Sequence, residues 1–201
     1  FNMAVVNSAA SGGKISNTKY RSVVERYYKK FYKINLNNVT SADQCVLQHS
    51  NKICVVTVAP RHPLLTNGEV VKVDFQVSKK VNRLENKVSG KGKKGAQNLL
   101  PMSPLCEVTC STGQKYTLYS CIKGKLVEVN QSLESNPGLL IKKPMTEGYI
   151  AVVLPKLHEV DELLSELMTE EDYGVLLNQS TISGTAVEER HDDNGTVSPC
   201  I

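Results

Sequence analysis

The chain has 201 residues, 40% of them hydrophobic and 22% charged, with a formal net charge of +4 at pH 7. That suffices for one domain with a real core plus terminal extensions, and no stretch approaches the roughly 18 consecutive apolar residues of a membrane span. The opening FNMAVVNSAASGGK lacks the basic-then-apolar layout of a secretory signal, so the six cysteines (Cys45, Cys54, Cys106, Cys110, Cys121 and Cys200) are read as reduced core thiols, with no disulfide framework expected.

The modest net charge hides an asymmetry. After Lys156 the chain holds eleven acidic residues and a single Arg or Lys, Arg190, which leaves the preceding part strongly basic. An acidic tail of this kind limits non-specific contacts, and it can also compete with an acidic partner for the basic face.

In chain order, residues 1–17 are rich in Ser, Asn and Gly and are expected to be disordered. From Thr18, Val23, Val24, Tyr27, Tyr28 and Phe31 recur at helical spacing, with Ser22 as N-cap and Lys29, Lys30 and Lys33 near the C-terminal end; this predicts an amphipathic helix of about four turns. Gln44 to His49 and Lys52 to Ala59 then form an expected β-hairpin around Ser50-Asn51, with Ile53 to Val56 apolar enough to be buried on both faces. Beyond the His62-Pro63 loop and the Asn67-Gly68 turn, Val71, Val73, Phe75 and Val77 alternate with Lys72, Asp74 and Gln76, which predicts one strand with a core face and a wet face.

The next stretch is basic. Lys79, Lys80, Arg83, Lys87, Lys91, Lys93 and Lys94 are met only by Glu85 up to Gln97. Gly90-Lys91-Gly92-Lys93-Lys94-Gly95 fits GxGxxG formally, but Pro101 and Pro104 end any helix that could follow, and no Gly-Lys-Ser/Thr makes it a phosphate-binding Walker loop. The expectation is a flexible multi-lysine loop suited to an acidic surface, and Lys87, Lys91, Lys93, Lys94 and Arg83 are the candidate partner-binding residues.

Leu105 to Cys110 and Tyr116 to Ile122 form a further strand pair around Ser111–Gln114, followed by Lys125 to Val129, a short turn capped by Asn130, and a closing strand from Tyr149 to Leu154. Some seven short strands with little helix predict a β-sandwich or barrel. Cys45, His49 and Cys54 match no standard zinc spacing, and Cys54 with His49 or His62 lacks the signature of a nucleophile and its base. Glu170-Glu171-Asp172 reads as a helical or disordered surface, so neither a metal nor a catalytic site is expected.

The string from Leu118 to Asn130, followed by Leu133, Asn136-Pro137, Pro144 and Glu147-Gly148-Tyr149, resembles the second half of glycine cleavage H proteins, lipoyl carriers with a barrel-sandwich hybrid fold. More closely, CVLQHSNKICVVTV, NKVSGKGKKGAQ, PLCEVTCSTG, GKLVEVN and PMTEGYIAVVLPK resemble the Abitram (Simiate) family, a relative of the H proteins, from about Tyr20 to Lys156. The resemblance implies a mainly β, barrel-sandwich hybrid fold; with the helical and charge patterns above, the chain is read as that domain with its N-terminal helix over 18–156, followed by an acidic helix and disordered tail over 157–201. In H proteins the lipoylated lysine precedes the Ser of a Tyr-Ser pair by seven residues, which falls here on Gly113; Lys115 comes two residues later, Ser111-Thr112 replaces the Glu-Ser-Val lead-in, and Cys121 stands where the carriers have Pro. No lipoyl cofactor is therefore expected. Resemblance to the Abitram family implies a non-catalytic actin-binding protein that influences actin assembly and modulates transcription, located in the nucleus, including nuclear speckles, and in the cytoplasm. The alternatives are a nucleic-acid-binding module using the basic loop and the Tyr-rich helix, with transcription machinery as a further partner, and a lipoyl-type carrier.

Overall fold

A computed structural model describes residues 21–184, with side chains described through residue 179. The disorder expected of residues 1–17, the beginning of the first helix, and the tail beyond residue 184 with Cys200 lie outside the described residues. In chain order the elements are α1 (Val23–Tyr27), β1 (Tyr28–Lys33), β2 (Gln44–His49), β3 (Cys54–Val58), β4 (Val70–Asp74), β5 (Gln76–Ser78), β6 (Val81–Asn82), β7 (Asn98–Leu99), β8 (Pro104–Cys110), β9 (Lys115–Tyr119) and β10 (Gly124–Val129). They are followed by α2 (Ser132–Ser135), α3 (Leu139–Lys142), β11 (Ala151–Leu154), α4 (Val160–Ser165), β12 (Met168–Thr169) and α5 (Glu170–Gly184).

The strands form a seven-stranded antiparallel sheet in the order β12-β1-β2-β3-β11-β10-β7, a three-stranded sheet β4-β8-β9, and a small β5-β6 pair. The main core takes Val46, Val56, Val58, Leu126 and Val153 from the large sheet and Val73, Cys106, Val108 and Leu118 from the smaller one, all essentially without solvent contact. Gln44 ties the two sheets: its side-chain amide donates to the Tyr119 carbonyl at 3.0 Å and accepts from the Tyr119 N–H at 2.7 Å, so a buried polar residue is satisfied at both ends.

The other face of the large sheet is covered too. Cys45 and Leu47 of β2 pack there with Tyr32 and with Tyr173 of α5, whose ring stacks on Tyr32 at 3.9 Å between centroids and 5° between planes. Burial on both faces explains the continuous apolar run of β2 and β3. The Tyr173 hydroxyl donates to Asp43 at 3.1 Å; Asp43, fully buried, also accepts from Arg61 Nε at 2.8 Å and from the Asn35 N–H at 2.8 Å. Val160, Leu164 and Leu167 join the main core, so the acidic segment after Lys156 is partly structural.

Three expectations are corrected. Ser22 does cap a helix through a reciprocal capping box with Glu25, but that helix ends at Tyr27 and Tyr28–Lys33 is a strand. Its six residues pair one for one with β2, and that ladder, with Tyr32 buried beneath α5, outweighs a helical spacing carried by aromatic residues that also suit strands. The strand expected over Val71–Val77 divides between two sheets, and a bulge between Val70 and Lys72 turns Val71 outward, 60% exposed, while Val70 takes the core position. The closing strand starts at Ala151, since the Asn130 side chain holds the preceding carbonyls of Glu147 and Tyr149 at 2.7 and 2.9 Å.

Candidate functional site: the lysine turn

Lysines 87, 91, 93 and 94 lie on an ordered turn. Ser89 and Lys94 form a bridge with N–H to O distances of 3.0 and 2.9 Å in the two directions, and the Lys93 N–H closes the turn on the Gly90 carbonyl at 3.1 Å. Gly90, Lys93 and Gly95 take left-handed φ values of 64°, 51° and 78°, and a Cβ on Gly95 would clash with the Lys87 carbonyl oxygen. The Lys125 ammonium, reaching from β10, donates to the Gly92 carbonyl at 2.7 Å and clamps the tip. The expected flexible loop is therefore corrected to a hydrogen-bonded turn whose glycines set its shape. Lys87, Lys91 and Lys94 are exposed and Lys93 is half-buried; among the described residues none of the four enters an ion pair.

Arg83 does not belong with them. It is 7% exposed, donates from Nε to the Pro104 carbonyl at 2.9 Å and from a terminal nitrogen to the Gln97 side-chain oxygen at 2.6 Å, and burial lowers its pKa. Its place as a partner-binding residue is corrected: the guanidinium ties the start of β8 to the segment leading into β7. Lys125, which the sequence reading took only as the start of a strand, is the residue that sequence reasoning missed at this site.

Gly113 stands at the exposed tip of the β8–β9 hairpin with φ 82° and open space around any added Cβ. The nearby Lys115 is the first residue of β9, paired with Thr109, and its ammonium meets Glu107 at 2.7 Å. The tip thus carries no amine of its own. The Cys54 thiol is buried and pushed up to about 12 by that burial, and the His62 imidazole is lowered to about 4 by the same cause while its Nδ1 accepts the Leu64 N–H. His49 Nδ1 accepts the Asn51 N–H, its ring lies edge-on to Tyr28, and among the described residues no three His, Cys, Asp or Glu side chains converge as metal ligands. Glu170, Glu171 and Asp172 form the first turn of α5, where acidic residues favour the helix dipole.

Residues 108–180 match the glycine cleavage H-protein family, from the middle of β8 into α5. Over nearly the whole fold the likeness is to another group. The chain is 48% identical over 170 residues to Protein Abitram of Xenopus tropicalis, covering 83% of this chain and 93% of that protein. The chain belongs to the Abitram family. The Abitram proteins of Danio rerio and Homo sapiens are 46% and 47% identical over 162 and 153 residues, covering 80% and 76% of this chain and 92% and 84% of theirs. A solved glycine cleavage system H protein from Mycobacterium marinum is 17% identical, with a TM-score of 0.48 over 67% of this chain and 91% of its own. The mainly β architecture and the H-protein match together make the Abitram fold of this chain a glycine cleavage H-like barrel-sandwich hybrid.

Proposed function

We propose that this chain is a non-catalytic actin-binding protein that influences actin assembly and modulates transcription, acting in the nucleus, nuclear speckles included, and in the cytoplasm. The observation that carries the binding part is the ordered turn that presents Lys87, Lys91, Lys93 and Lys94 without acidic partners of their own among the described residues. Actin is acidic, and a pre-shaped row of ammonium groups meets an acidic surface at less ordering cost than a mobile loop. The similarity of the strings around this turn to the Abitram family supports the same reading.

Co-sedimentation with actin tests it. Changing Lys87, Lys91, Lys93 and Lys94 together to Ala should leave the fold intact and weaken binding at low salt; binding equal to that of the parent chain removes the turn from the contact. The nucleic-acid reading uses the same lysines together with the Tyr-rich segment, of which Tyr32 is buried, Tyr28 is half-buried against His49 and Tyr27 alone is exposed, so among the described residues at most one ring of that segment is free to stack on a base. A generic single-stranded oligonucleotide that binds more tightly than actin at matched salt would reverse the preference.

A further inference from the structure

Beside the lysine turn lies a groove of about 580 Å³, within the ~300–1,000 Å³ of pockets that take a ligand. Leu99, Gly124, Leu154 and Pro155 contribute to its lining, and two of the most exposed large apolar side chains of the fold, Leu100 at 63% and Leu157 at 68%, border it. Four lysines surround it, Lys91, Lys123, Lys125 and Lys156, against one carboxylate, Glu159. That carboxylate already receives Lys156 at 2.8 Å and Lys123 at 3.3 Å, and these contacts, Lys156 first, hold it below the usual carboxylate range. The rim is thus arranged to bind a carboxylate, and cations remain in excess after Glu159 is paired.

We propose that this groove is a docking site for an acidic peptide segment of a partner protein that carries a bulky aliphatic side chain. Charge complementarity selects the acidic partner: exposed leucines among lysines leave an acidic segment attractive on the rim and a basic one repelled. The apolar lining selects the anchor, since burying it between Leu100 and Leu157 removes apolar surface on both sides. Among the lining residues the only aromatic ring is that of His158, so the groove offers a nucleic-acid base a single imidazole and no larger aromatic platform to stack on. The Lys125 bond to Gly92 and the shared lining by Lys91 and Gly92 make the groove continuous with the lysine turn. The proposal does not depend on the partner being actin.

The test is a backbone-amide NMR titration of the full chain with a short capped peptide of glutamates flanking a Leu-Leu pair. Saturable shifts are expected at Leu100, Lys123, Lys125 and Leu157. Replacing the Leu-Leu pair by Ala-Ala should weaken binding by about tenfold or more. Leu100→Asp and Leu157→Asp, both at exposed positions that leave the fold intact, should abolish the shifts, and Lys156→Ala should reduce both affinity and its salt dependence. No saturable shift, equal binding of the Ala-Ala peptide, or shifts elsewhere on the chain would overturn the proposal. So would three other occupants. Shifts at the groove that depend on protein concentration alone assign it to a second copy, joint movement of residues 185–201 in the free Leu157→Asp variant assigns it to the chain's own acidic end, and displacement of the peptide by a single-stranded oligonucleotide assigns it to nucleic acid. Because no actin is present, failure here is distinct from failure of actin binding.

Discussion

Two cations eleven residues apart in sequence illustrate how differently a charge can be used. Arg83 is almost fully buried and holds the Pro104 carbonyl and Gln97, whereas Lys94 is exposed on the turn. Arg83→Ala should cost roughly 2 kcal/mol, because it leaves two partly buried acceptors unpaired and a cavity where the buried side chain stood, and Lys94→Ala should stay within about 0.5 kcal/mol; urea midpoints measure both. His62 gives the fold an acid limit. Its folded-state pKa of about 4 lies below the ordinary value of 6.5, so the unfolded chain binds a proton first as pH falls. Stability from this group is complete above pH 6.5, is lost on going down towards pH 4, and amounts to about 3 kcal/mol across that window. His62→Asn can still cap Leu64 and should flatten that part of the stability profile in denaturant titrations at successive pH values.

At the level of elements, Tyr173 is the buried anchor of α5, alongside the packing of Leu176 and Leu177 and the Glu170–Lys30 ion pair. Tyr173 stacks on Tyr32 and donates to Asp43, so Tyr173→Ala should cost about 3–5 kcal/mol and speed amide exchange in α5. Tyr173→Phe keeps the stack and should cost only about 1–2 kcal/mol, the loss of a hydrogen bond to a buried charge. The same scale decides what could be read from the sequence. The hairpin of β2 and β3, and that of β8 and β9 with Gly113 at its tip, were legible because alternation and turn residues are local signals. The strand nature of Tyr28–Lys33 was not, since it comes from pairing with β2, and the bulge that turns Val71 outward leaves no mark in the Val70-Val71 pair, either of which could take the core position. At the candidate site the cluster of lysines was plain, while the burial of Arg83 and the clamp from Lys125 depend on segments distant in sequence.

For the molecule as a whole, the basic face around the lysine turn and the acidic residues of α4 and α5 make electrostatics a long-range property. The proposed affinity for actin should therefore fall as ionic strength rises through the range where the Debye length shrinks from about 10 Å to about 3 Å, and co-sedimentation at stepped salt measures the slope. A salt-independent affinity would shift the contact away from the lysines. The order of strands in the large sheet has another consequence. β1, near the start of the described chain, is covered by β12 at Met168–Thr169 and by Tyr173, while β3 pairs with β11 at Ala151–Val153. A chain emerging from the ribosome cannot finish either pairing until those late segments have been made. Its first hairpin must wait with an open edge, so closure of this fold follows the synthesis of the segment through Tyr173, and chaperones that shield strand edges would act on it up to that moment.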